Sequence, residues 1–439
     1  MHRPHPPRPF DSAANLRRVL VRNRVAGNGG VYAVCSAHPW VLEAAAQQAL
    51  EDHSVLHVES TSSQVNQEGG YTGQTPAQFA EYIGSLARRL RLPTRRVLLG
   101  ADHLGPFPWR KQTSAKAMEK AGELVRACVL AGYRKLHLDA SMACGDDQPT
   151  LSDHVVAARA ATLCDIAEKT CQKWGRPPSL YVIGTEVPAP GGQADAEGAP
   201  VVTSVKQVLR TLAAFESAFQ ERGLSRAWER VVGLVVQPGV EFGDHTVFAY
   251  DHKKAQRLAT ALPARPRLVY EAHSTDYQSA DALALMVRDH FAILKVGPWL
   301  TFAFREAVFA LSAIEREMLA GKKRVIASEV RGALETAMLR RPADWNSYYK
   351  GDGQQSLARA YSYSDRCRYY WADTSVQKEI RRLLRNLSAV SLPLPLISQY
   401  LPLEYEAIRG GCLQSRPPAI IYHHIRSVLS SYAMACASH

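Results

Sequence analysis

Short runs of valine, leucine and isoleucine recur along the chain, and several of them end directly in polar residues. The endings include GADHLGP, LHLDAS, IGTEVP, YEAHS and ILKVGP. Apolar runs of about four to eight residues, bounded by turn residues, are typical of buried parallel strands. The pattern predicts eight strands, at residues 31–37, 55–61, 96–103, 135–141, 180–187, 232–238, 268–274 and 291–297.

Segments with helical periodicity separate these strands. One opens with the sequence TPAQ and aligns four apolar side chains on one face: Phe79, Ile83, Leu86 and Leu90. Another spans residues 114–130 and is stopped by Gly132. Alternating strands and helices imply parallel strands joined by crossovers, and eight is the number that closes a barrel. The sequence therefore predicts an α/β protein with a (β/α)8 TIM-barrel fold.

The barrel accounts for only part of the 439 residues. We assign residues 31–321 to the barrel and residues 1–30 to an N-terminal arm and first helix. An amphipathic helix is predicted at 304–320, and prolines break the remainder into short pieces, as in SLPLPLISQYLPLEY. Residues 322–439 are therefore predicted to form a helical extension packed on the barrel.

Two connections are longer than a barrel requires. Residues 62–75 follow the second strand, residues 188–204 follow the fifth, and both contain several glycines. Long loops after barrel strands usually carry function, so we expect both to lie over the barrel mouth. The cluster SDRCRYYW at residues 364–371 either roofs the active site or anchors the extension, and anchoring is the preferred interpretation.

The composition is that of a globular protein, with 46% hydrophobic and 21% charged residues. No apolar run approaches the roughly 18 residues of a membrane-spanning helix, and the basic N-terminus lacks the apolar segment of a secretory signal. Eight cysteines occur without a CxxC pair or zinc-ribbon spacing, which indicates reduced thiols. We expect a cytoplasmic protein that does not bind a membrane.

The formal net charge of +12 raises the question of a nucleic-acid partner. The basic clusters lie on predicted helix faces or loops without interleaved aromatic residues, which favours a solvated surface over nucleic-acid binding. A basic surface would also favour anionic phosphosugars.

Polar residues at the strand ends are the candidates for chemistry. Buried carboxylates and imidazoles are costly unless they bind a metal, a substrate or one another. Five of them suggest a divalent-metal and acid–base set: Asp102, His103, Glu186, Glu271 and His273. The alternative is that such groups only satisfy their neighbours, and no compact ligand motif such as HExxH decides for a metal.

Two further pairs share a strand face. His57 lies two residues before Glu59, and His137 lies two residues before Asp139. Both histidines are expected about one layer deeper in the barrel, where a structural or supporting role is favoured.

Phosphate groups in such barrels typically bind the loops after the seventh and eighth strands. Here those loops offer Ser274, Lys295 and Gly297, which supply a hydroxyl, an ammonium and a backbone amide. The sequence contains no GxxxxGK[ST] loop, and the glycine run at residues 27–30 precedes a strand instead of following one. Neither ATP nor a dinucleotide is indicated, so no nucleotide cofactor is expected.

Several long stretches together resemble one known family, the tagatose-bisphosphate aldolase Z-subunit (GatZ/KbaZ-like) family. The resemblance runs nearly end to end and rests on VCSAHPWVLEAA, STSSQVNQEGGYTGQTP, LLGADHLGP, KLHLDASMAC, YVIGTEVPAPGG, VVQPGVEFGDH, VYEAHSTDYQ, HFAILKVGPWLTFA, SDRCRYYW and LISQYLPLEYE. It implies a TIM barrel and a role in tagatose or galactitol metabolism. Members are described either as a non-catalytic subunit that supports a class II, zinc-dependent tagatose-1,6-bisphosphate aldolase or as tagatose-6-phosphate (or ketohexose) 4-epimerases.

Chemistry favours the epimerase of these two roles. Carbon 4 of a ketohexose is not adjacent to the carbonyl, so simple enolisation cannot invert it. Without a nicotinamide cofactor, the economical route is retro-aldol cleavage between C3 and C4, rotation and re-addition. That route needs a Lewis-acid metal, zinc or similar, and an acid–base group at the C4 hydroxyl. The expected partners are a ketose phosphate and, in the alternative role, a class II aldolase subunit, with the oligomeric state left open.

The resemblance also implies a division of labour, because class II aldolases carry an Asp-His pair after the third strand that resembles Asp102-His103. Asp102 would exchange the C4 proton, while His103, His273 and either Glu186 or Glu271 would hold the metal. Glu59 and Asp139 are reserve catalytic candidates. The remaining predicted substrate contacts are Cys35, Ser36, Gln64, Asn66, Gln67, Ser274, Lys295 (to the phosphate) and Gly297.

Overall fold

The computed structural model describes residues 11–185, 200–262, 267–320, 325–349 and 355–437. Its strands are β1 (Val31–Val34), β2 (Leu56–Thr61), β3 (Val97–Leu104), β4 (Lys135–Leu138), β5 (Leu180–Ile183), β6 (Val231–Val236), β7 (Glu241–Phe242), β8 (Val247–Phe248), β9 (Val269–Ala272) and β10 (Ile293–Val296).

Eight of these strands form a closed parallel barrel in the order β1-β10-β9-β6-β5-β4-β3-β2, and β2 pairs with β1 to complete it. The other two, β7 and β8, form a small antiparallel hairpin after β6. Each barrel strand lies within or overlaps one of the eight predicted segments, so the predicted (β/α)8 fold is confirmed. The hairpin was not predicted, because its strands are only two residues each and show no alternation.

Sixteen helices occur in the described part of the chain. They are α1 (Ser12–Ala26), α2 (Pro39–Glu51), α3 (Pro76–Arg89), α4 (Ser114–Leu130), α5 (Asp153–Lys173), α6 (Val205–Glu221), α7 (Ser225–Trp228), α8 (His252–Thr260), α9 (Ala280–Arg288), α10 (Pro298–Leu319), α11 (Val330–Arg340), α12 (Gln355–Tyr361), α13 (Thr374–Ser388), α14 (Leu394–Tyr400), α15 (Pro402–Arg409) and α16 (Pro417–Cys436).

Local chemistry explains where α3 begins. Thr75 accepts a hydrogen bond from the amide of Gln78, and the Gln78 side chain accepts one from the amide of Thr75, which completes a capping box. Pro76 occupies the first helical position, where its missing N–H costs nothing. The predicted apolar face is the buried one, since Phe79 and Ile83 are fully buried.

The helix predicted at residues 304–320 begins earlier than expected, at Pro298. Asp276 explains the early start, because its carboxylate accepts hydrogen bonds from the amides of Gly297 and Trp299. These amides belong to the first turn, where N–H groups have no partner within the helix.

The two ends of the barrel differ, because one is apolar and the other is polar. Inward-facing residues such as Val182, Val232 and Ile293 form a small apolar core together with Leu16 and Leu20 of α1. The first helix therefore closes the end of the barrel at which the strands begin. Charged residues occupy the opposite end, at the carboxyl termini of the strands.

The C-terminal extension shares the main hydrophobic core with the barrel helices. Its last helix, α16, packs against α2, α9 and α10. The hydroxyl of Tyr432 in α16 donates a hydrogen bond of 2.7 Å to the backbone carbonyl of Thr275, directly after β9. Residues of the extension thus contact the barrel through both apolar and polar groups.

Several sequence expectations concern features outside the barrel. All eight cysteines lie in described segments and are free thiols. None of the helices in the described ranges has the length and hydropathy needed to cross a membrane. Most of the predicted loop at residues 188–204 and the first ten residues of the predicted arm lie outside the described residues.

Candidate active site

A cavity of about 850 Å³ opens at the carboxyl ends of the barrel strands. Its floor is formed by strand ends, its wall by the loop after β2, and its roof by residues of the C-terminal extension. A cavity of this size accommodates a small polar substrate with room for water.

A charged network fills the barrel below the cavity. The Lys135 ammonium lies 2.6 Å from a carboxylate oxygen of Glu59 and 2.6 Å from one of Glu271. The Lys295 ammonium contacts Glu59, lies 2.8 Å from Asp102 and 3.6 Å from Glu271. These five side chains are buried. Cations and carboxylates therefore alternate, which compensates the cost of burying each charge.

A glycine in the next strand makes room for this network. Gly100 of β3 is paired with Glu59 of β2, and a β-carbon at position 100 would lie 2.7 Å from Cγ of Glu59. Any other residue at position 100 would displace the central carboxylate.

Both lysines act as fixed cations that keep the carboxylates ionised. Burial raises the pKa of Glu59 and of Glu271, but the charges of Lys135 and Lys295 outweigh it and hold both values below the ordinary range. Burial lowers the pKa of Lys295, and the surrounding carboxylates, Asp102 above all, raise it well above normal. A protonated lysine is not a nucleophile, so Schiff-base chemistry at Lys295 is disfavoured.

Three histidines stand around the cavity floor, each beside its own carboxylate. The ring centroids of His103, His137 and His273 are separated by 5.0–5.3 Å. His137 Nδ1 lies 3.0 Å from Asp102, and His273 Nε2 lies 3.1 Å from Glu271.

Four of these residues have the composition and spacing of a divalent-metal site. Ligand atoms of Asp102, His137, Glu271 and His273 all lie within 4.8 Å of one another, and all four side chains are buried. The Nε2 atom of His137 is buried without a hydrogen-bond partner among the described residues. Two imidazoles and two carboxylates are a donor set that zinc and similar cations accept, so the residues present fit such an ion.

His103 has a different environment from the other two histidines. Its Nδ1 lies 2.9 Å from Asp139, whose other carboxylate oxygen accepts hydrogen bonds from the amide and the hydroxyl of Ser141. Burial lowers the pKa of His103, but the charges of Asp102 and Asp139 and the hydrogen bond to Asp139 raise it above the ordinary value. Burial raises the pKa of Asp139, whereas its contacts with His103 lower it to about 2.

An irregularity in β3 brings two adjacent residues to the same cavity. The register between β3 and β4 shifts between Ala101 and Leu104, and His103 has a left-handed backbone with φ of 47°. Regular alternation would send Asp102 and His103 to opposite faces, whereas both line the cavity here. A non-glycine residue in this conformation is strained, which is characteristic of functional sites.

Comparison with known proteins agrees with the motifs. The family model described as D-tagatose-1,6-bisphosphate aldolase subunit GatZ/KbaZ-like matches residues 16–437. This chain belongs to the GatZ/KbaZ-like family. The resemblance found in the sequence is thereby confirmed.

Two solved structures illustrate the range of similarity. The structure of a probable tagatose 6 phosphate kinase from Sinorhizobium meliloti 1021 is 40% identical, covers 93% of this chain and 100% of that chain, and has a TM-score of 0.85. A fructose-bisphosphate aldolase from Campylobacter jejuni is 13% identical, covers 92% of this chain and 96% of that chain, and has a TM-score of 0.45. Nothing about function follows from the second similarity. The GatZ/KbaZ-like chain described here has no GxxxxGK[ST] loop of its own.

Most of the predicted site residues meet at this cavity. Those that line it are Cys35, Ser36, Gln64, Asn66, Asp102, His103, His273, Ser274, Lys295 and Gly297. Glu59, Asp139 and Glu271 lie directly beneath them through the contacts described above. Glu186, a predicted metal ligand, lies outside the described residues.

Three predicted contacts have polar groups that are engaged elsewhere. Gln67 donates to the backbone carbonyl of Lys120 in α4 and does not line the cavity. The Gly297 amide is bonded to Asp276, and the Lys295 ammonium is held among carboxylates. An incoming sugar or phosphate would have to displace these partners.

Sequence reasoning missed three features of the site. His137 belongs to the metal-capable group, although a structural or supporting role was favoured for it. Asp276 caps α10, and the only signal for it was an aspartate three residues after His273. The cluster SDRCRYYW does roof the cavity, through Arg366, Arg368 and their neighbours, as well as burying Trp371 as an anchor.

Proposed function

We propose that this chain is a metal-dependent 4-epimerase of a ketohexose phosphate such as tagatose 6-phosphate. The observation that carries the proposal is the convergence of a metal-capable group and a separate histidine–carboxylate pair on one cavity. A protein with only a scaffolding role would gain nothing from burying so many ionisable groups at a strained strand end.

The residues that would hold the metal are Asp102, His137, Glu271 and His273. When bound, a divalent cation withdraws electron density from the substrate carbonyl and so lowers the energy of the charge left by carbon–carbon cleavage. Asp102 suits a ligand role because Lys295, His103 and His137 outweigh its burial and hold its pKa well below the ordinary value. The sequence placed Asp102 at the proton-transfer step and His103 on the metal, and we propose the reverse.

His103 would exchange the proton at the C4 oxygen. In the cleavage direction, His103 accepts the C4 hydroxyl proton, the C3–C4 bond breaks, its electron pair remains on the C3 fragment, and C4 becomes an aldehyde. After the aldehyde rotates, C3 attacks its opposite face and His103 returns the proton to the oxygen. Asp139 would hold the imidazole in place and stabilise its protonated form, as a carboxylate does for a catalytic histidine.

The direct test is turnover by the purified full chain. Incubation with tagatose 6-phosphate and Zn²⁺, Mn²⁺, Co²⁺ or Mg²⁺ in turn should yield fructose 6-phosphate, measured by an enzyme-coupled assay. The chelator-treated protein should be inactive and should recover on addition of one of these metals. Absence of product with all four metals would refute the epimerase.

A pair of variants tests the assignment of roles. His103→Gln should lose at least about 100-fold in kcat, because general acid–base groups typically contribute that much, while retaining the bound metal. His137→Gln should lose metal, measured by elemental analysis after dialysis. Metal loss in His103→Gln with retention in His137→Gln would restore the assignment made from the sequence.

The family description favours a second candidate, an accessory subunit of a D-tagatose-1,6-bisphosphate aldolase. On that account the isolated chain has no turnover but co-purifies with a class II aldolase chain and raises that chain's thermal stability. The two measurements together distinguish the candidates, because an epimerase needs no partner to act.

A further inference from the structure

The roof of the cavity carries two neighbouring arginines. Arg366 and Arg368 lie on one short turn of the extension, and both line the cavity. Arg366 is only 3% exposed and stacks over the ring of Tyr348, 3.1 Å from its centroid. The two arginines lie more than 260 residues beyond Asp102 in the sequence and reach the same cavity only through folding.

Arg368 is held in place by neutral oxygens. Its guanidinium donates to the backbone carbonyls of Ser364 and Asp365, at 2.5 and 3.0 Å, and to the hydroxyl of Tyr369, at 2.8 Å. Among the described residues, no carboxylate lies within ion-pair distance of Arg368. The carboxylate of Asp365 is instead occupied by the Thr301 hydroxyl and the Cys367 thiol.

Arg368 therefore brings a positive charge to the lining of the cavity. Burial lowers the pKa of Arg366. Burial also lowers the pKa of Arg368, but the neighbouring Tyr369, Tyr71 and Asp365 outweigh burial and raise the pKa, so Arg368 remains a cation. An anion beside Arg368 would accept charge-assisted hydrogen bonds from its planar guanidinium group.

The position at which barrels usually bind phosphate is closed here. That position is the start of the helix after the eighth barrel strand, where free amides attract an anion. The carboxylate of Asp276 already accepts the amides of Gly297 and Trp299 at this point. Burial raises the pKa of Asp276 to about 6, so at neutral pH the group is an anion that would repel a phosphate.

We propose that Arg368 and Arg366 form a binding subsite for a phosphate dianion, and that it receives the phosphate ester of the substrate. The two arginines line the same cavity as Asp102 and His273 of the metal-capable group, so one sugar phosphate would place its carbonyl end at the metal-capable group and its ester at the arginines. The proposal rests on the proposed function for the identity of the sugar, but binding of the anion itself does not require turnover.

The test compares a hexitol with its phosphate ester, because neither has a carbonyl and neither can be cleaved. Isothermal titration of the full chain with D-glucitol and with D-glucitol 6-phosphate gives the gain in affinity due to the phosphate. We expect a gain of about 30-fold or more, and inorganic phosphate should compete. In Arg368→Met the gain should fall to about threefold or less, whereas Arg368→Lys should retain an intermediate gain.

The matched control is Arg110→Met, which removes one positive charge from an exposed position at the edge of the same cavity. Its phosphate gain should equal that of the wild type within about twofold, since general electrostatic attraction is screened by salt. An equal loss in both variants, or an undiminished gain in Arg368→Met, would overturn the subsite.

A second measurement needs no substitution. Saturating inorganic phosphate should slow hydrogen exchange in the peptide containing Arg366–Tyr369 of the wild-type chain, and no slowing there would contradict the proposal. The outcomes also separate the two hypotheses. If D-glucitol 6-phosphate binds tightly but the chain has no epimerase activity, the phosphate subsite is supported and the epimerase is refuted. If the chain has epimerase activity but the phosphate adds no affinity, the epimerase is supported and the subsite is refuted.

Discussion

At the scale of single residues, the site depends on close contacts that tolerate no extra atoms. Gly105 follows β3, and a β-carbon there would lie 1.6 Å from the backbone oxygen of Asp139. That carbonyl belongs to the residue whose carboxylate positions His103. The absence of a side chain at position 105 therefore allows β3 and the end of β4 to approach closely enough for the histidine–carboxylate pair to form.

Gly105→Ala should consequently destabilise the protein and impair the pair. We expect the free energy of unfolding to fall by about 3 kcal/mol, because the backbone must shift to admit the methyl group. Urea denaturation measures the loss of stability, and kcat should fall because His103 is no longer held by Asp139.

The control for this substitution is a glycine with space around it. At Gly84, inside α3, a β-carbon would meet only the mobile end of Arg88, at 3.4 Å. Gly84→Ala should therefore raise the free energy of unfolding by about 0.5–1 kcal/mol. If both substitutions lower the free energy of unfolding, the space available for a β-carbon does not determine the effect, and both predictions are wrong.

At the scale of helices and strands, a partly buried charge cluster joins two helices of the extension to each other and to α10. Glu404 of α15 lies 2.9 Å from His423 and 3.2 Å from His424 of α16, and His424 also lies 3.3 Å from Glu306 of α10. Burial lowers the pKa of His424, but the hydrogen bonds with Glu306 and Glu404 raise it to about 9. Burial raises the pKa of Glu404, and the two histidines lower it to about 2.

This cluster predicts a pH-dependent contribution to stability. A histidine whose pKa is raised on folding stabilises the folded state fully below its unfolded value near 6.5 and loses that effect as the pH rises through about 9. The wild type should exceed His424→Gln in free energy of unfolding by at most about 3 kcal/mol at pH 6. The difference should shrink toward zero above pH 9.

Denaturation of both proteins between pH 6 and 10 measures this difference. His154→Gln is the control, because His154 is exposed on α5. A difference for His424→Gln that stays constant across this range would contradict the role assigned to the cluster.

At the scale of the whole molecule, the extension and the barrel share one core and one cavity. Ile425 of α16 is fully buried in the cluster that also contains the barrel helices. The roof arginines belong to the extension, while the metal-capable group belongs to the barrel. Loss of packing at α16 should therefore be felt by the barrel strands.

Ile425→Ala should lower the opening free energy of the barrel strands and of α16 by the same amount, about 3 kcal/mol. Native-state hydrogen exchange of peptides from β2, β4 and α16 measures this. Met434→Ala, an exposed change on the same helix, should have an effect below about 0.5 kcal/mol. Unchanged exchange in the strands alongside faster exchange in α16 would show that the extension opens by itself.

Much of the fold could be predicted from the chain alone, because the signals are local. Strand cores are continuous apolar runs, and helix starts are marked by caps such as Thr75 with Gln78. The family could be recognised because its distinctive motifs are contiguous stretches. The same local signals identified Asp102, His103, Glu271 and His273 as candidates, since each directly ends or follows a strand.

The partner of each side chain was decided only by the tertiary structure. The alternation of side chains along a strand cannot predict the irregularity at His103, which lets the adjacent residues Asp102 and His103 line the same cavity. The sequence pattern also could not show that Asp276 accepts a hydrogen bond from the Gly297 amide that was expected to bind phosphate. Nor could it show that Arg368, from the extension, lines the cavity. Local patterns extend over one turn or one strand, whereas the groups that meet at this cavity are separated by 21 to nearly 270 positions. Only closure of the barrel and packing of the extension bring them together.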